Sequence, residues 1–178
     1  MNQLNPTEIT VIGTPPTDSH LDAVRGKYLT FTLGEEDYGL RLEHVREIID
    51  LEPFTPPNGR PDYVVGLVAF REAKVPVIDL HRLFGLEPVV YNRLSHIMVL
   101  ESPEGDWPCP TVGLIADRVL MVEEAQHIIP IDPLPDQRPR LPAEFILGLT
   151  RIDKQVRTLI DLDRVIGSFD PGAVCPPY

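Results

Sequence analysis

The chain has 178 residues and a mass of 20.0 kDa, and 43% of its residues are hydrophobic, which excludes a wholly disordered polymer and allows one real core. Sixteen basic against 27 acidic residues leave a net charge of −11 and a pI near 4.8, a field that repels phosphate backbones and anionic lipid. No apolar run reaches bilayer length, the start Met1-Asn2-Gln3-Leu4 lacks a signal core, and Cys109 and Cys175 are too few for a disulfide framework; a reduced, cytoplasmic setting is expected.

Twenty prolines punctuate the sequence, so ordered elements should be short. Residues 1–26 mix Thr, Pro, Asp and Gly without sustained period and read as a disordered N-terminal tail. Tyr28 to Leu33 alternates strictly, with Leu29, Phe31 and Leu33 on one face; Gly34 to Asp37 is turn chemistry, and Tyr38 to Leu42 alternates again, completing a hairpin. A strand over Val45 to Ile49 is followed by a cluster at Pro53, Pro56, Pro57 and Pro61. Tyr63 to Phe70 and Val75 to Ile78 read as further strands, and Asp79 to Gly85 as a short helical turn with Asp79 as cap and Gly85 as stop. Residues 169–178, with three more prolines, read as a C-terminal tail. Short strands at close spacing define an all-β barrel or sandwich.

An internal repeat sharpens that reading. Val77 to Gly85 matches Leu159 to Gly167, and Tyr63 to Leu67 matches Phe145 to Leu149, both at an offset of 82 residues. Upstream, Gly39 to Val45 matches Gly113 to Val119 at an offset of 74, so the second copy carries a longer loop, placed at the proline-rich stretch 130–142. A single domain over 27–168 is expected, built of two barrel-like units at about 28–85 and 96–167 that share a core.

Catalytic signatures are missing from the sequence: it has no GxGxxG, no P-loop, no HExxH and no paired CxxC. His20, His44, His81, His96 and His127 have no metal-ligand spacing, and His81 reads as a partly exposed residue on the short helical turn. Asp161 and Asp163 could be a carboxylate pair, but the repeat makes Asp161 a helix cap and leaves Asp163 to solvent. Trp107, the only tryptophan, falls in a loop from Glu101 to Pro110. Comparing copies singles out Glu47, where the second copy has Met121, and Arg71, where it has Asp153. The two could pair at one end of the first barrel, either as a structural contact or as part of a binding surface.

These residues resemble the CheW-like family of chemotaxis coupling proteins. The resemblance lies in Phe31 to Gly39, Val45 to Ile48, Gly66 to Arg71, Pro76 to Leu80, Val112 to Val119 and Leu159 to Leu162, in that order and spacing. It implies an all-β fold of two intertwined five-stranded SH3-like barrels with short helical turns. It also implies a non-enzymatic adaptor with no cofactor. The implied partners are the regulatory domain of a chemotaxis-type histidine kinase and the cytoplasmic tip of methyl-accepting receptors, which would recruit it to membrane-associated arrays. Carried over residue by residue, Val45 and Glu47 match the partner-binding surface and Arg71 matches the arginine of the family's Asn-Leu-Arg-Gly motif. This sequence departs there: Ala69 and Phe70 replace Asn and Leu, and Glu72 replaces Gly, which removes an easy route to positive φ. The output could be flagellar chemotaxis, surface sensing or pilus motility. A second reading is a sensory module that holds a small anion in the cleft between the barrels, around Arg71.

Overall fold

The computed structural model describes residues 24–54, 57–126, 128–129, 140–152 and 154–176. Most of the expected N-terminal tail, His20, His127, Asp153 and nearly all of the proline-rich loop fall outside these residues. In chain order the strands are β1 Gly26–Leu33, β2 Glu36–Arg41, β3 Val45–Asp50, β4 Val64–Phe70, β5 Ala73–Asp79, β6 His96–Glu101, β7 Thr111–Ala116, β8 Arg118–Ala125, β9 Ile128–Ile129, β10 Ile146–Ile152 and β11 Gln155–Ile160. Three short helices follow β5 and β11: α1 Leu80–Phe84, α2 Leu162–Gly167 and α3 Pro171–Val174.

The strands form two sheets of the same design. Sheet I runs β8-β1-β2-β11-β10, extended by the two-residue β9, and sheet II runs β3-β6-β7-β5-β4. The repeats therefore exchange parts. The hairpin β1–β2 of the first copy completes the sheet of the second, and β6–β7 of the second completes that of the first. In each sheet one parallel pairing joins the copies: Leu159 opposite Gly39 in sheet I, Val77 opposite Gly113 in sheet II. The exchange places both hairpins in the middle of a sheet.

Both glycines sit where a neighbouring strand's side chain comes close to the backbone. A Cβ on Gly39 would lie 2.9 Å from Leu159 Cδ2, and one on Gly113 2.8 Å from Ile97 Cγ2. The equivalence extends to the helical turns. Asp79 Oδ1 accepts from Arg82 N–H at 3.2 Å and Asp161 Oδ1 from Arg164 N–H at 3.1 Å, as expected for N-caps. Gly85 adopts the left-handed conformation, φ 65°, and ends α1.

Three apolar interiors follow from this arrangement. The largest lies between the sheets and takes Leu29, Phe31 and Leu33 from β1 together with Met98, Leu100, Leu114 and Ile160. Sheet II encloses Val65, Phe70, Val75, Val77, Ile97, Val99 and Ile115. Sheet I encloses only Tyr28, Ala125 and Leu159 as an apolar cluster. Its remaining space holds polar groups: Thr30 stands where sheet II has Val99, Glu123 where it has Ile49, and Arg157 where it has Val75. Arg157 reaches Asp37 at 2.8 Å and Glu123 at 3.4 Å.

Three expectations need correction. Residues 169–176 are packed rather than a loose tail: Phe169 stacks on Tyr63 at 5.7 Å, and Asp170 caps α3, whose Val174 is fully buried. His81 is buried, not partly exposed, because α1 lies against β7 and its ring Nε2 meets both Asp117 oxygens at 3.0 Å. Cys109 and Cys175, read as separate loop thiols, form a disulfide across 66 residues, since α3 returns the chain to the start of β7.

Candidate functional site

Strand β3 is the outer strand of sheet II, so among the described residues one side of its backbone has no strand beside it. A register shift between Val45 and Glu47 sets Val45 opposite Leu100 and Glu47 opposite Val99. Neighbouring residues of β6 point to opposite faces, so the bulge at Arg46 places Val45 and Glu47 on opposite faces despite their i, i+2 spacing. Val45 is half-buried against the shared core, whereas Glu47 is exposed and Ile48 is 40% exposed. Arg46 donates to Glu101 at 2.8 Å, which fixes the bulge to β6.

Arg71 sits at the tip of the two-residue turn between β4 and β5 and is exposed. Its φ is 54°, and its guanidinium lies over the Phe70 ring, 4.9 Å from the centroid. The positive φ that glycine would have supplied at position 72 is thus taken by Arg71 itself, and Glu72 keeps a negative φ. Holding a non-glycine residue there stores about 1–2 kcal/mol. Among the described residues no ion pair joins Glu47 to Arg71, whose guanidinium lies over Phe70 instead, and this corrects the expected pair.

Beside this turn a cleft of about 360 Å³ is lined by Glu72, Ala73, Lys74 and Val75 on one side. Cys109, Pro110, Thr111, Cys175 and Pro176 line the other. Arg71 does not line it, and its one lysine faces one glutamate, so it lacks the positive excess an anion site needs. Behind the cleft Trp107 is buried, stacked on His44 at 5.1 Å, and donates its indole N–H to Asp163 at 2.7 Å. Asp163 is exposed as expected but serves as this acceptor. Among the described residues no group of His, Cys, Asp or Glu is arranged to hold a metal ion, and no helix is long and apolar enough to cross a membrane.

The residues that wall this cleft and the Arg157 cluster were not singled out in the sequence. A signal for the cluster was present in Gln155, Arg157 and Glu123, polar residues at positions that are apolar or small in the first copy. The cleft had none, because its walls come from residues about 35 and 100 positions apart.

An outer strand edge, a strained hairpin tip and a cleft on a double-barrel frame are features of a protein-binding module. The comparisons identify the family. Residues 27–170 match the model of the CheW-like domain, and the chain belongs to that family. It is 29% identical over 155 residues to chemotaxis protein CheW of Klebsiella aerogenes, covering 86% of this chain and 89% of the relative. It is 27% identical over 144 residues to chemotaxis protein CheW of Treponema pallidum, covering 79% and 81%. The crystal structure of scaffolding protein TtCheW from Thermoanaerobacter tengcongensis superposes with a TM-score of 0.66 at 27% identity, over 78% of this chain and 85% of that one. The family is one of non-enzymatic scaffolds, and this chain has its fold.

Proposed function

We propose that this chain is an adaptor that couples methyl-accepting chemotaxis receptors to a histidine kinase. The observation that carries the reading is the family match over 27–170, nearly the whole described chain, on an intertwined double barrel. The kinase's regulatory domain docks along the open edge of β3, where an extended backbone supplies affinity and Glu47 and Ile48 supply selection. Val45 supports that surface from below, being half-buried. The receptor tip contacts Arg71 on its hairpin, whose stored backbone strain fits a side chain held for contact rather than for folding. The protein works in the cytoplasm beside the receptor array.

The test is a calorimetric titration against the kinase regulatory domain and, separately, a receptor-tip fragment. Saturable one-to-one kinase binding that Glu47→Arg weakens by tenfold or more, with receptor binding lost in Arg71→Ala, is expected. Wild-type binding by both folded variants would remove these residues from the interfaces. The cleft's balanced charge favours this reading over small-anion sensing, which a thermal shift with carboxylates would instead support.

A further inference from the structure

The chain's only two cysteines are bonded to each other, and the bond forms part of one wall of the cleft beside the Arg71 turn. We propose that Cys109–Cys175 is a reversible redox clasp that fixes the end of the C-terminal segment as that wall and releases it on reduction by a dithiol protein. The inference rests on the adaptor reading for its compartment: disulfides in a reducing cytoplasm are characteristically transient and sensory rather than structural.

The two sulfurs are placed unequally. Cys109 is 1% exposed between Pro108 and Pro110, whereas Cys175 is partly exposed near the end of the described chain. An incoming thiolate therefore meets the Cys175 sulfur. A mixed disulfide forms there, Cys109 leaves as the thiolate, and the reductant's second thiol displaces Cys175. The sum is one disulfide and one dithiol exchanged for one dithiol and one disulfide, two electrons passing to the protein.

What is released is limited by the other anchors. Phe169 stays on Tyr63, and Val174 stays in the shared core. Arg60 Nη1 donates to the carbonyls of Ala173 at 3.1 Å and Cys175 at 3.0 Å, which holds the segment near the cleft when the bond opens. Neither cysteine lies in a strand, so reduction frees Cys175 and Pro176 while α3 and the sheets remain. The facing wall, Glu72 to Val75, directly follows Arg71, so the clasp sets the shape of the ground next to the receptor contact.

The test uses the full chain with a thioredoxin-type dithiol protein and its recycling reductant, followed by thiol alkylation, mass measurement and amide hydrogen exchange. Expected are no alkylatable thiols after oxidation and two after enzymatic reduction. Exchange at the Cys175 amide, which donates to the Pro171 carbonyl at 2.9 Å, should rise at least tenfold on reduction, while Leu114 in β7 is unchanged. Cys109→Ser/Cys175→Ser should match the reduced form under both conditions. A bond that opens only when the protein unfolds, two free thiols after oxidation, or equal exchange in both forms would each overturn the clasp. Kinase binding measured on the same samples separates the readings: its absence in both redox forms defeats the adaptor assignment, not the clasp.

Discussion

Arg157 inside sheet I is the most informative place to perturb the fold. Its side chain is 7% exposed and that of Glu123 8%, while Asp37 at 22% keeps some water. The Asp37 contact at 2.8 Å is short and charge-assisted, and the Glu123 contact at 3.4 Å is long for a hydrogen bond. Arg157→Met removes the only cation in contact with both carboxylates among the described residues and strands Glu123 almost fully buried. Removing one partner of a buried pair costs about 3–5 kcal/mol. Sheet II shows that the same positions accept apolar groups, since Val75 and Ile49 occupy the places of Arg157 and Glu123. Arg157→Met/Glu123→Leu, close in volume, should therefore recover most of the loss, because apolar replacement of a buried pair is neutral to about 4 kcal/mol stabilising. Equilibrium urea unfolding followed by the single tryptophan, Trp107, measures both variants with m as a check on two-state behaviour. A single variant within about 1 kcal/mol of wild type, or a double variant no better than the single, would refute the account.

Three further outcomes are expected. Arg71→Gly relieves about 1–2 kcal/mol of left-handed strain and forfeits a cation–π contact of about 0.5–1 kcal/mol, so thermal stability should not fall while receptor-tip binding does; a clear drop in melting temperature would contradict the strain argument. A Cβ at Gly66 would fall inside the Phe54 side chain, so Gly66→Ala should lose about 1–3 kcal/mol in denaturant unfolding, whereas a neutral result would show Phe54 free to move away. Burial, then the Glu36 hydrogen bond at 2.7 Å, raises the Tyr38 phenol above the ordinary 10.0, and burial followed by the Asp79 carboxylate raises Tyr91 likewise. The unfolded chain then loses protons near pH 10 that the fold retains; stability is complete below that pH and falls above it by about 1.4 kcal/mol per pH unit for each such tyrosine. Phenolate absorbance should appear together with unfolding, and Tyr38→Phe should flatten the alkaline slope; ionisation of every tyrosine near pH 10 in the folded protein would be the contrary result.

Much of the fold was legible because β structure with buried sheet faces writes its period into the chain. The alternation in Tyr28 to Leu33 placed Leu29, Phe31 and Leu33 on one face, and all three lie in the shared core. Asp79 and Gly85 identified a helical turn because a cap acceptor and a left-handed stop are local requirements. The repeat likewise located equivalent strands, down to the paired caps at Asp79 and Asp161. The candidate site was legible only in part. Glu47 and Arg71 stood out because the second copy has Met121 and Asp153 in their places, but the pair expected between them is not formed and Arg71 lies over Phe70.

Local pattern was therefore readable from the chain: strand faces, caps, the duplication and the residues that carry the family resemblance. The exchange of hairpins between the copies emerged from the folded arrangement, since which strand lies beside which depends on pairings between residues about 120 apart, such as Leu159 with Gly39. The same arrangement decided that the bulge at Arg46 turns Val45 and Glu47 to opposite faces, and that a chain end read as a tail returns to bond Cys175 to Cys109. Periodicity reports which side of a strand is apolar. Partners far apart in the chain are chosen by packing, which no local pattern encodes.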